Sequence, residues 1–307
     1  MNAITVEDGL VRIGSSRIPL IAGEIQFWRM DPETWEPAVK AARAAGVTMI
    51  STYMSWRRHE PEPGRYDFSG LHDPRLDVRR FLRICADAGA YVQLKPGPWI
   101  CAEEEGGGYP DWLLARTELL VRDDAGEIVL GYNPPFQHPV PSSSDPRYLD
   151  AVDRWFAAVW GAVGDHVHPD GPVVALQLDN EPSVCFQDSM YRSDYSKASI
   201  AAFRQWLRER YADDVHAWRA SWDDRALTDF DQAAPPRSPG IGTPAAPRGR
   251  LRPLGRGPGE RPAESAAHAR RNPHRHHHQR SGSLPIRARP AASLTWPSGI
   301  HASAQHH

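Results

Sequence analysis

Four short apolar segments alternate with four amphipathic segments along the first three quarters of the chain. The most informative apolar segment, Val173 to Pro182, reads Val-Val-Ala-Leu-Gln-Leu-Asp-Asn-Glu-Pro and follows Gly171-Pro172. A run of this length between breakers is typical of a buried strand in a parallel sheet. Its alternation with helices predicts a parallel sheet with helical crossovers. The predicted strands cover residues 19–26, 47–53, 91–94 and 173–178, and the predicted helices begin near residues 31, 77, 145 and 193.

Two α/β architectures fit this order of elements, a (β/α)8 barrel and a doubly wound sheet. No Gly-x-Gly-x-x-Gly follows the first predicted strand, which counts against a dinucleotide-binding fold. Long segments, 53–76 and 95–145, follow the second and third strands, as functional loops do at the C-terminal face of barrel enzymes. We therefore predict a (β/α)8 TIM-type barrel of which the chain holds the first four or so β/α units.

The composition excludes several other classes of protein. The chain has 307 residues, a formal net charge of −2 and 40% hydrophobic residues, which is enough for a sizeable core. No apolar stretch approaches the roughly 20 residues needed to cross a bilayer, and no secretory signal begins the chain. Cys85, Cys101 and Cys185 are widely spaced and show no metal-ligand pattern. We expect reduced thiols, a cytoplasmic location, no membrane association and neither cofactor nor metal.

The composition changes abruptly near residue 235. Residues 235–307 contain no lysine, and their only acids are Glu260 and Glu264. Without hydrophobic periodicity such a segment cannot offset its ordering entropy. We predict a domain over residues 1–234 and a disordered tail over 235–307, which is either natural or the product of a shifted reading frame. The tail's arginines lack interleaved aromatic residues and its histidine run is of a commonly incidental kind, so no nucleic-acid partner is expected.

Polar side chains follow the predicted strands, at the edge where ligands bind in α/β folds. Carboxylates that converge on a barrel mouth suit glycosidic chemistry, in which one carboxylic acid protonates the leaving oxygen and a second carboxylate acts opposite it. Aromatic residues in the same loops can support sugar rings, although core packing is their more common role. The polar residues are Glu24, Gln26, Tyr53, Glu103, Asn180 and Glu181; the aromatic residues are Trp56, Trp99, Tyr109 and Trp112.

Five segments match a known family in both residue type and spacing. Residues 94–103, Leu-Lys-Pro-Gly-Pro-Trp-Ile-Cys-Ala-Glu, continue to Gly-Gly-Tyr-Pro-Asp-Trp-Leu-Leu at 107–114. Together with residues 22–25, 53–68 and 174–181, they resemble the β-galactosidases of glycoside hydrolase family 35.

The resemblance covers roughly residues 10–182, while residues 195–236 look closer to the related family 42 of the same clan. It implies a (β/α)8 barrel and retaining hydrolysis of terminal β-galactosides, with a small carbohydrate as partner.

The resemblance also implies roles for individual residues. Glu181 would be the general acid/base, and Asn180 would position the sugar 2-hydroxyl. Tyr53 and the segment Cys101-Ala102-Glu103 would contact the galactosyl ring, with Glu103 as an acceptor for sugar hydroxyls.

Two departures from the family pattern concern the mouth of the barrel. The usual His-Tyr-Phe is Gln26-Phe27-Trp28 here, and Trp99 and Glu104 replace the usual Tyr and Trp around Ile-Cys-Ala-Glu. We expect Glu104 and Glu105 to form either a solvated or a loop-bracing pair rather than a site. A charged residue in the mouth makes galactose specificity less secure than glycosidase chemistry.

A third departure concerns the nucleophile, which the clan places at the end of the seventh strand. After Glu181, Glu209 falls in a predicted helix and the remaining glutamates fall in the tail. We therefore predict that this chain is a truncated, inactive form. The alternatives are a clan relative that acts on another β-glycoside and a non-catalytic sugar-binding remnant.

Overall fold

The computed structural model describes residues 4–7, 10–19, 21–133, 135–181, 194–222 and 227–235. The predicted disorder of residues 236–307, together with Cys185, Glu260 and Glu264, lies outside these ranges. The strands are β1 (Ile4–Glu7), β2 (Leu10–Ile13), β3 (Ser16–Pro19), β4 (Gly23–Glu24), β5 (Met49–Tyr53), β6 (Tyr91–Gly97), β7 (Leu130–Asn133), β8 (Phe136–Pro139) and β9 (Val173–Leu178). The α-helices are α1 (Trp35–Ala44), α2 (Trp56–His59), α3 (Val78–Asp87), α4 (Asp111–Leu114), α5 (Pro146–Val163), α6 (Lys197–Arg210) and α7 (Val215–Trp222).

Four parallel strands form the central sheet, in the order β4-β5-β6-β9. The register of β5 and β6 runs from Met49 opposite Tyr91 to Tyr53 opposite Lys95. The helices α1, α3 and α5 lie between successive strands of this sheet in the chain. The predicted α/β architecture, with four strand–helix units of a barrel, is therefore present in the described residues.

Three strands differ from the prediction at a boundary. The second begins at Met49, two residues later than predicted, and the other two differences have a structural reason. The first strand of the central sheet is only Gly23–Glu24, because residues 16–19 pair with β2 in an antiparallel hairpin. The third strand continues from Leu94 to Gly97. Pro96 lies within the register shift between Leu94 and Gly97, the kind of irregularity at which a sheet tolerates proline.

Two of the four predicted helix starts carry side-chain caps, whereas the Asp31 side chain caps no backbone group and α1 begins only at Trp35, after a short 3-10 turn. Asp77 accepts a hydrogen bond from the backbone N–H of Arg80 at 2.8 Å, and Asp145 accepts one from Arg147 at 2.9 Å. Such caps satisfy backbone donors that have no partner within the helix. The fourth predicted helix is α6, which begins at Lys197, four residues beyond the start predicted at residue 193.

The core beneath the sheet is rich in aromatic residues. Phe27 stacks on Phe81 with ring centroids 5.0 Å apart, and Trp35 meets both rings edge-on. Trp56 stacks on Trp155 at 5.7 Å. Aromatic pairs of this kind contribute about 0.5–1.5 kcal/mol each beyond the area that they bury. They join α1 to α3 and α2 to α5, in a core that also contains Ile50 of β5 and Leu94 of β6.

The segment that follows β6, predicted as a glycine-rich functional loop, is folded. It contains α4 and the β7–β8 hairpin. Gly107 has a φ of +62°, and a Cβ placed there would lie 1.8 Å from the ring of Trp99. Only glycine allows this backbone to pass so close to the indole.

A second, smaller core joins α6 and α7. It contains Leu207, Leu227, Phe230 and Ala233. No helix within the described residues is both long and apolar enough to cross a membrane.

Candidate active site

The ends of the four central strands meet around the phenol of Tyr53, the last residue of β5. The Tyr53 hydroxyl lies 2.8 Å from Oδ1 of Asn180, which follows β9. This bond spans the sheet, because β6 lies between β5 and β9. Two of the six residues predicted for the site are therefore in direct contact.

The backbone of Tyr53 is held by a side chain from the first strand. Its N–H donates to Oε1 of Gln26 at 3.0 Å, and Nε2 of Gln26 donates to Oε1 of Glu24 at 2.6 Å. The glutamine at this position departs from the family pattern, and here it links β4 to β5.

Lys95 is a buried cation that sequence reasoning missed. It is 5% exposed, and its Nζ donates to Oε2 of Glu24 at 2.7 Å. The same Nζ lies 3.7 Å from the centroid of the Tyr53 ring, in the geometry of a cation–π interaction. A lysine that directly follows a predicted strand and precedes Pro-Gly-Pro was the only available signal.

Burial, followed by the charges of Glu24, Cys101, Glu181 and Glu103, raises the pKa of Tyr53 to about 12. Tyr53 therefore keeps its proton at neutral pH. These causes also bring the predicted residues Cys101, Glu103 and Glu181 into electrostatic reach of one hydroxyl.

Three consecutive predicted residues adopt a left-handed backbone. The φ values of Cys101, Ala102 and Glu103 are 55°, 48° and 46°. Each such non-glycine residue costs about 1–2 kcal/mol, so the turn requires support from its surroundings. The guanidinium of Arg29 provides part of it by donating to the carbonyl of Ala102. Burial raises the pKa of the Cys101 thiol.

Asp179 holds the segment that follows β9 against the end of β6 and the loop after it. Its N–H donates to the carbonyl of Gly97 at 2.7 Å, and its Oδ1 accepts from the N–H groups of Trp99 at 3.1 Å and Asn180 at 3.0 Å. Burial raises the pKa of the Asp179 carboxyl group. Asp179 and Glu181 both have positive φ, 61° and 46°, so the chain turns sharply as it leaves β9.

Glu104 does not face the site. It is 4% exposed, and its carboxylate accepts two bonds from Arg58, at 2.8 and 3.1 Å. Glu105 pairs with Arg57 at 3.2 Å. Glu104 and Glu105 therefore brace the loop, as predicted, and Glu104 does not present a charge to a sugar at this position.

A cavity of about 580 Å³ opens beside Glu103 and is also lined by Glu104, Glu105 and Arg58. Of the six residues predicted for the site, only Glu103 lines it, so this cavity is separate from the space around Tyr53. Of the four predicted aromatic platforms, Trp56 and Tyr109 are buried, whereas Trp99 and Trp112 are half-buried. Trp56 and Tyr109 thus serve packing, and only Trp99 and Trp112 retain surface for a ligand.

The described part of the chain shows no cluster of metal-ligating side chains. Glu209 lies on the outside of α6, where it accepts a hydrogen bond from Gln205 at 2.8 Å. The Glu209 side chain therefore bonds on the surface of α6 and takes no part in the contacts at the strand ends.

Comparison with known proteins agrees with the motifs. Residues 11–129 match the model of glycosyl hydrolases family 35. The chain is 31% identical over 208 residues to an exo-β-D-glucosaminidase of Thermococcus kodakarensis, covering 65% of this chain and 26% of that protein. It is 37% identical over 162 residues to the human β-galactosidase, covering 52% of this chain and 20% of that protein.

Among solved structures, a family 42 β-galactosidase from G. stearothermophilus superimposes with a TM-score of 0.53 at 19% identity, covering 70% of this chain and 28% of that one. At this identity the likeness concerns the fold, and it confirms the predicted barrel architecture. The chain spans roughly a quarter of the length of the curated relatives that it matches.

The motif-bearing segment, the matching family model and the shared barrel fold agree with one another. Residues 11–129 are similar to the family 35 glycoside hydrolases, and the resemblance seen in the motifs is confirmed.

Proposed function

We propose that this chain carries the sugar-binding and acid/base part of a retaining β-galactosidase. The single observation that carries the proposal is the hydrogen bond between Tyr53 and Asn180, with Glu103 and Glu181 in electrostatic reach of the same phenol. This arrangement joins the ends of β5, β6 and β9 around one small space, as recognition of a single terminal sugar requires.

In this proposal Glu181 protonates the glycosidic oxygen as the leaving group departs. Asn180 donates to the sugar 2-hydroxyl, and Glu103 accepts from other ring hydroxyls. Tyr53, Cys101 and Ala102 complete the wall around the galactosyl ring. A retaining mechanism also needs a second carboxylate about 5–5.5 Å from the first, which attacks the anomeric carbon and forms the glycosyl-enzyme.

We propose that none of the described residues supplies the second carboxylate. The Glu24 carboxylate already accepts hydrogen bonds from Lys95 and Gln26. In this proposal Glu103 binds sugar hydroxyls, and Glu209 lies on α6, away from the strand ends. The chain would then bind galactose without hydrolysing galactosides.

Both parts of the proposal can be tested with the purified chain. We expect no turnover of nitrophenyl β-D-galactoside above buffer, and we expect heat from galactose binding in calorimetry. Glu103→Gln should weaken galactose binding about 10-fold, since hydrogen bonds to a charged group contribute roughly 1.5–3 kcal/mol. The matched control is Glu105→Gln, because Glu105 is 67% exposed and serves only as a partner of Arg57.

Turnover that disappears in Glu181→Gln would show that the chain does contain a nucleophile. No heat with galactose, from protein shown to be folded, would remove the sugar-binding proposal altogether.

A second candidate is a terminal β-D-glucosaminide as substrate. Exo-β-D-glucosaminidases are among the similar relatives. The glutamates around Tyr53 would also attract an ammonium group at C2. Binding of glucosamine and galactose, measured side by side, separates the two candidates.

We further propose a cytoplasmic location, a small carbohydrate as the partner, and neither nucleic acid nor cofactor. The support is the composition of the chain together with its likeness to carbohydrate-cleaving enzymes. Retention of a full-length fusion in the cytoplasm of an expressing cell would test the location.

A further inference from the structure

Gln177 lies on β9, three residues before Asn180, and its side chain bonds to the two residues that follow the same strand, Asp179 and Asn180. Its Nε2 donates to the carbonyl of Asp179 at 3.2 Å and to Oδ1 of Asn180 at 3.0 Å. A carbonyl oxygen only accepts hydrogen bonds, so the amide atom of Gln177 that faces it has to be the nitrogen. The backbone of Asp179 therefore fixes which way the Gln177 amide points.

The orientation of Gln177 fixes that of Asn180 in turn. The Asn180 atom facing the Gln177 nitrogen must be the acceptor, Oδ1. Tyr53 lies 2.8 Å from this same oxygen and keeps its proton because its pKa is raised to about 12, so the phenol donates. Both lone pairs of Asn180 Oδ1 are then occupied.

The remaining atom of the Asn180 amide is Nδ2. It has no acceptor among the described residues, and it is not buried away from solvent. A ligand can therefore reach it. Asn180 thus presents only hydrogen-bond donors to a ligand, while its acceptor is held by the protein.

We infer that Gln177 is a positioning residue that makes the site select a hydroxyl over an ammonium group at C2 of the sugar. A hydroxyl oxygen accepts from Nδ2, whereas a protonated amine has only donors and would oppose it. The inference rests on the proposed function, in which Asn180 faces the C2 substituent. It favours the galactoside over the glucosaminide as substrate class.

The effect of the Asn180 amide on an amine at C2 can be distinguished from the attraction that the surrounding carboxylates exert on any amine. Glu24, Glu103 and Glu181 favour an ammonium group wherever it lies in the site, and Lys95 is already paired with Glu24. Selection against an amine at C2 therefore has to come from the direction of the Asn180 amide. The quantity to measure is the ratio of the dissociation constants of galactosamine and galactose, with the amine protonated.

The test uses the full chain, calorimetry with the two sugars, and two variants. Gln177→Met removes the donor without adding charge, so the Asn180 amide becomes free to turn over. The ratio should fall about 5- to 10-fold, the value of roughly one hydrogen bond. Gln177→Glu keeps the shape of the side chain and replaces the donor by an acceptor, which should turn the amide over and lower the ratio further.

The neutral variant is the more direct test, because Gln177→Glu also adds a negative charge that attracts amines. Gln205→Met on α6 is the matched control, since Gln205 bonds only to the exposed Glu209, and its ratio should equal that of the parent chain.

A ratio unchanged within about 2-fold in both Gln177 variants, while both sugars still bind, overturns the role of Gln177 and leaves the proposed function standing. A parent chain that is folded but binds neither sugar overturns both. If Gln177→Met fails to fold, the isosteric Gln177→Glu decides by the same criterion, measured at high salt to screen its charge.

Discussion

Lys95 donates to Glu24 from inside the protein: Nζ and Oε2 are 2.7 Å apart, and the side chains are 7% and 51% exposed, respectively. The lysine is the buried partner, and the glutamate reaches solvent. Because Nζ also lies 3.7 Å from the Tyr53 ring centroid, one cation connects the ends of β4, β5 and β6.

Replacing Lys95 by methionine should weaken galactose binding while it changes the free energy of unfolding only a little. The cation contributes about 0.5–2 kcal/mol through the aromatic ring, but its removal also relieves the cost of burying a charge. We expect the free energy of unfolding in urea to change by less than about 1 kcal/mol. Galactose binding should weaken about 10-fold, because the Tyr53 ring and Glu24 lose their common anchor.

Lys40→Met is the control for this prediction, since Lys40 is 66% exposed and pairs only with Glu36 on α1. It should leave galactose binding unchanged. Lys95→Arg should restore part of the binding, because it keeps the charge. Full binding in Lys95→Met would mean that the lysine does not orient the Tyr53 ring.

Glu104→Gln should destabilise the protein by about 1–3 kcal/mol, the cost of leaving a charged hydrogen-bonded partner without its carboxylate. The reason is that buried Glu104 accepts two bonds from Arg58 and lies 3.9 Å from Arg29. Urea unfolding measures the effect. Glu105→Gln, an exposed ion pair, should change stability by less than about 0.5 kcal/mol, and equal effects in the two variants would contradict the bracing role of Glu104.

His59 should make the protein less stable in mild acid. It is fully buried beneath Phe68, and burial lowers its pKa from 6.5 to about 4. The unfolded chain therefore binds a proton between pH 6.5 and 4 that the folded chain does not, so stability falls as the pH decreases through this range. The loss attributable to His59 is up to about 3 kcal/mol at pH 4.

The measurement is urea unfolding at several pH values for the parent chain and for His59→Phe. The variant loses the bond between Nδ1 and the Asp67 carbonyl, so it starts from a lower stability at neutral pH. Its stability should nevertheless decline less steeply below pH 6.5. Parallel curves for the two proteins would show that His59 does not titrate in this way.

The architecture was predictable because it depends on local patterns. The apolar run at 173–178 and the Asp-Pro start at 145–146 each specify an element without reference to distant residues. The predicted polar strand ends also meet, since parallel strands end at the same edge of a sheet. Whether those ends perform the proposed chemistry stays a prediction.

The contacts within the site were not predictable in the same way. Lys95 and Gln177 sit in strands whose sequence says nothing about the partner of a single side chain. Their roles depend on distances across the sheet, between Lys95 and Glu24 and between Tyr53 and Asn180. Glu104 looked like a change in the mouth, and only its bonds to Arg58 show that it faces inward.

Gly107→Ala should disturb both the loop after β6 and the site beside it. The added Cβ would lie 1.8 Å from the Trp99 ring, so the indole has to shift from its present packing on Tyr109 and His138. The backbone N–H of Trp99 also donates to Asp179, which precedes Asn180 and Glu181. Gly89→Ala is a matched control, because its φ of +66° is close to the +62° of Gly107 but nothing lies within 4 Å of its Cβ. Both variants should lose about 1 kcal/mol from the left-handed backbone, and Gly107→Ala should lose a further 1–3 kcal/mol from overpacking.

Urea unfolding followed by tryptophan fluorescence measures both losses, and equal losses would show that the Trp99 ring yields without cost. Weaker galactose binding in Gly107→Ala alone would then connect the packing of Trp99 to the geometry of Asn180.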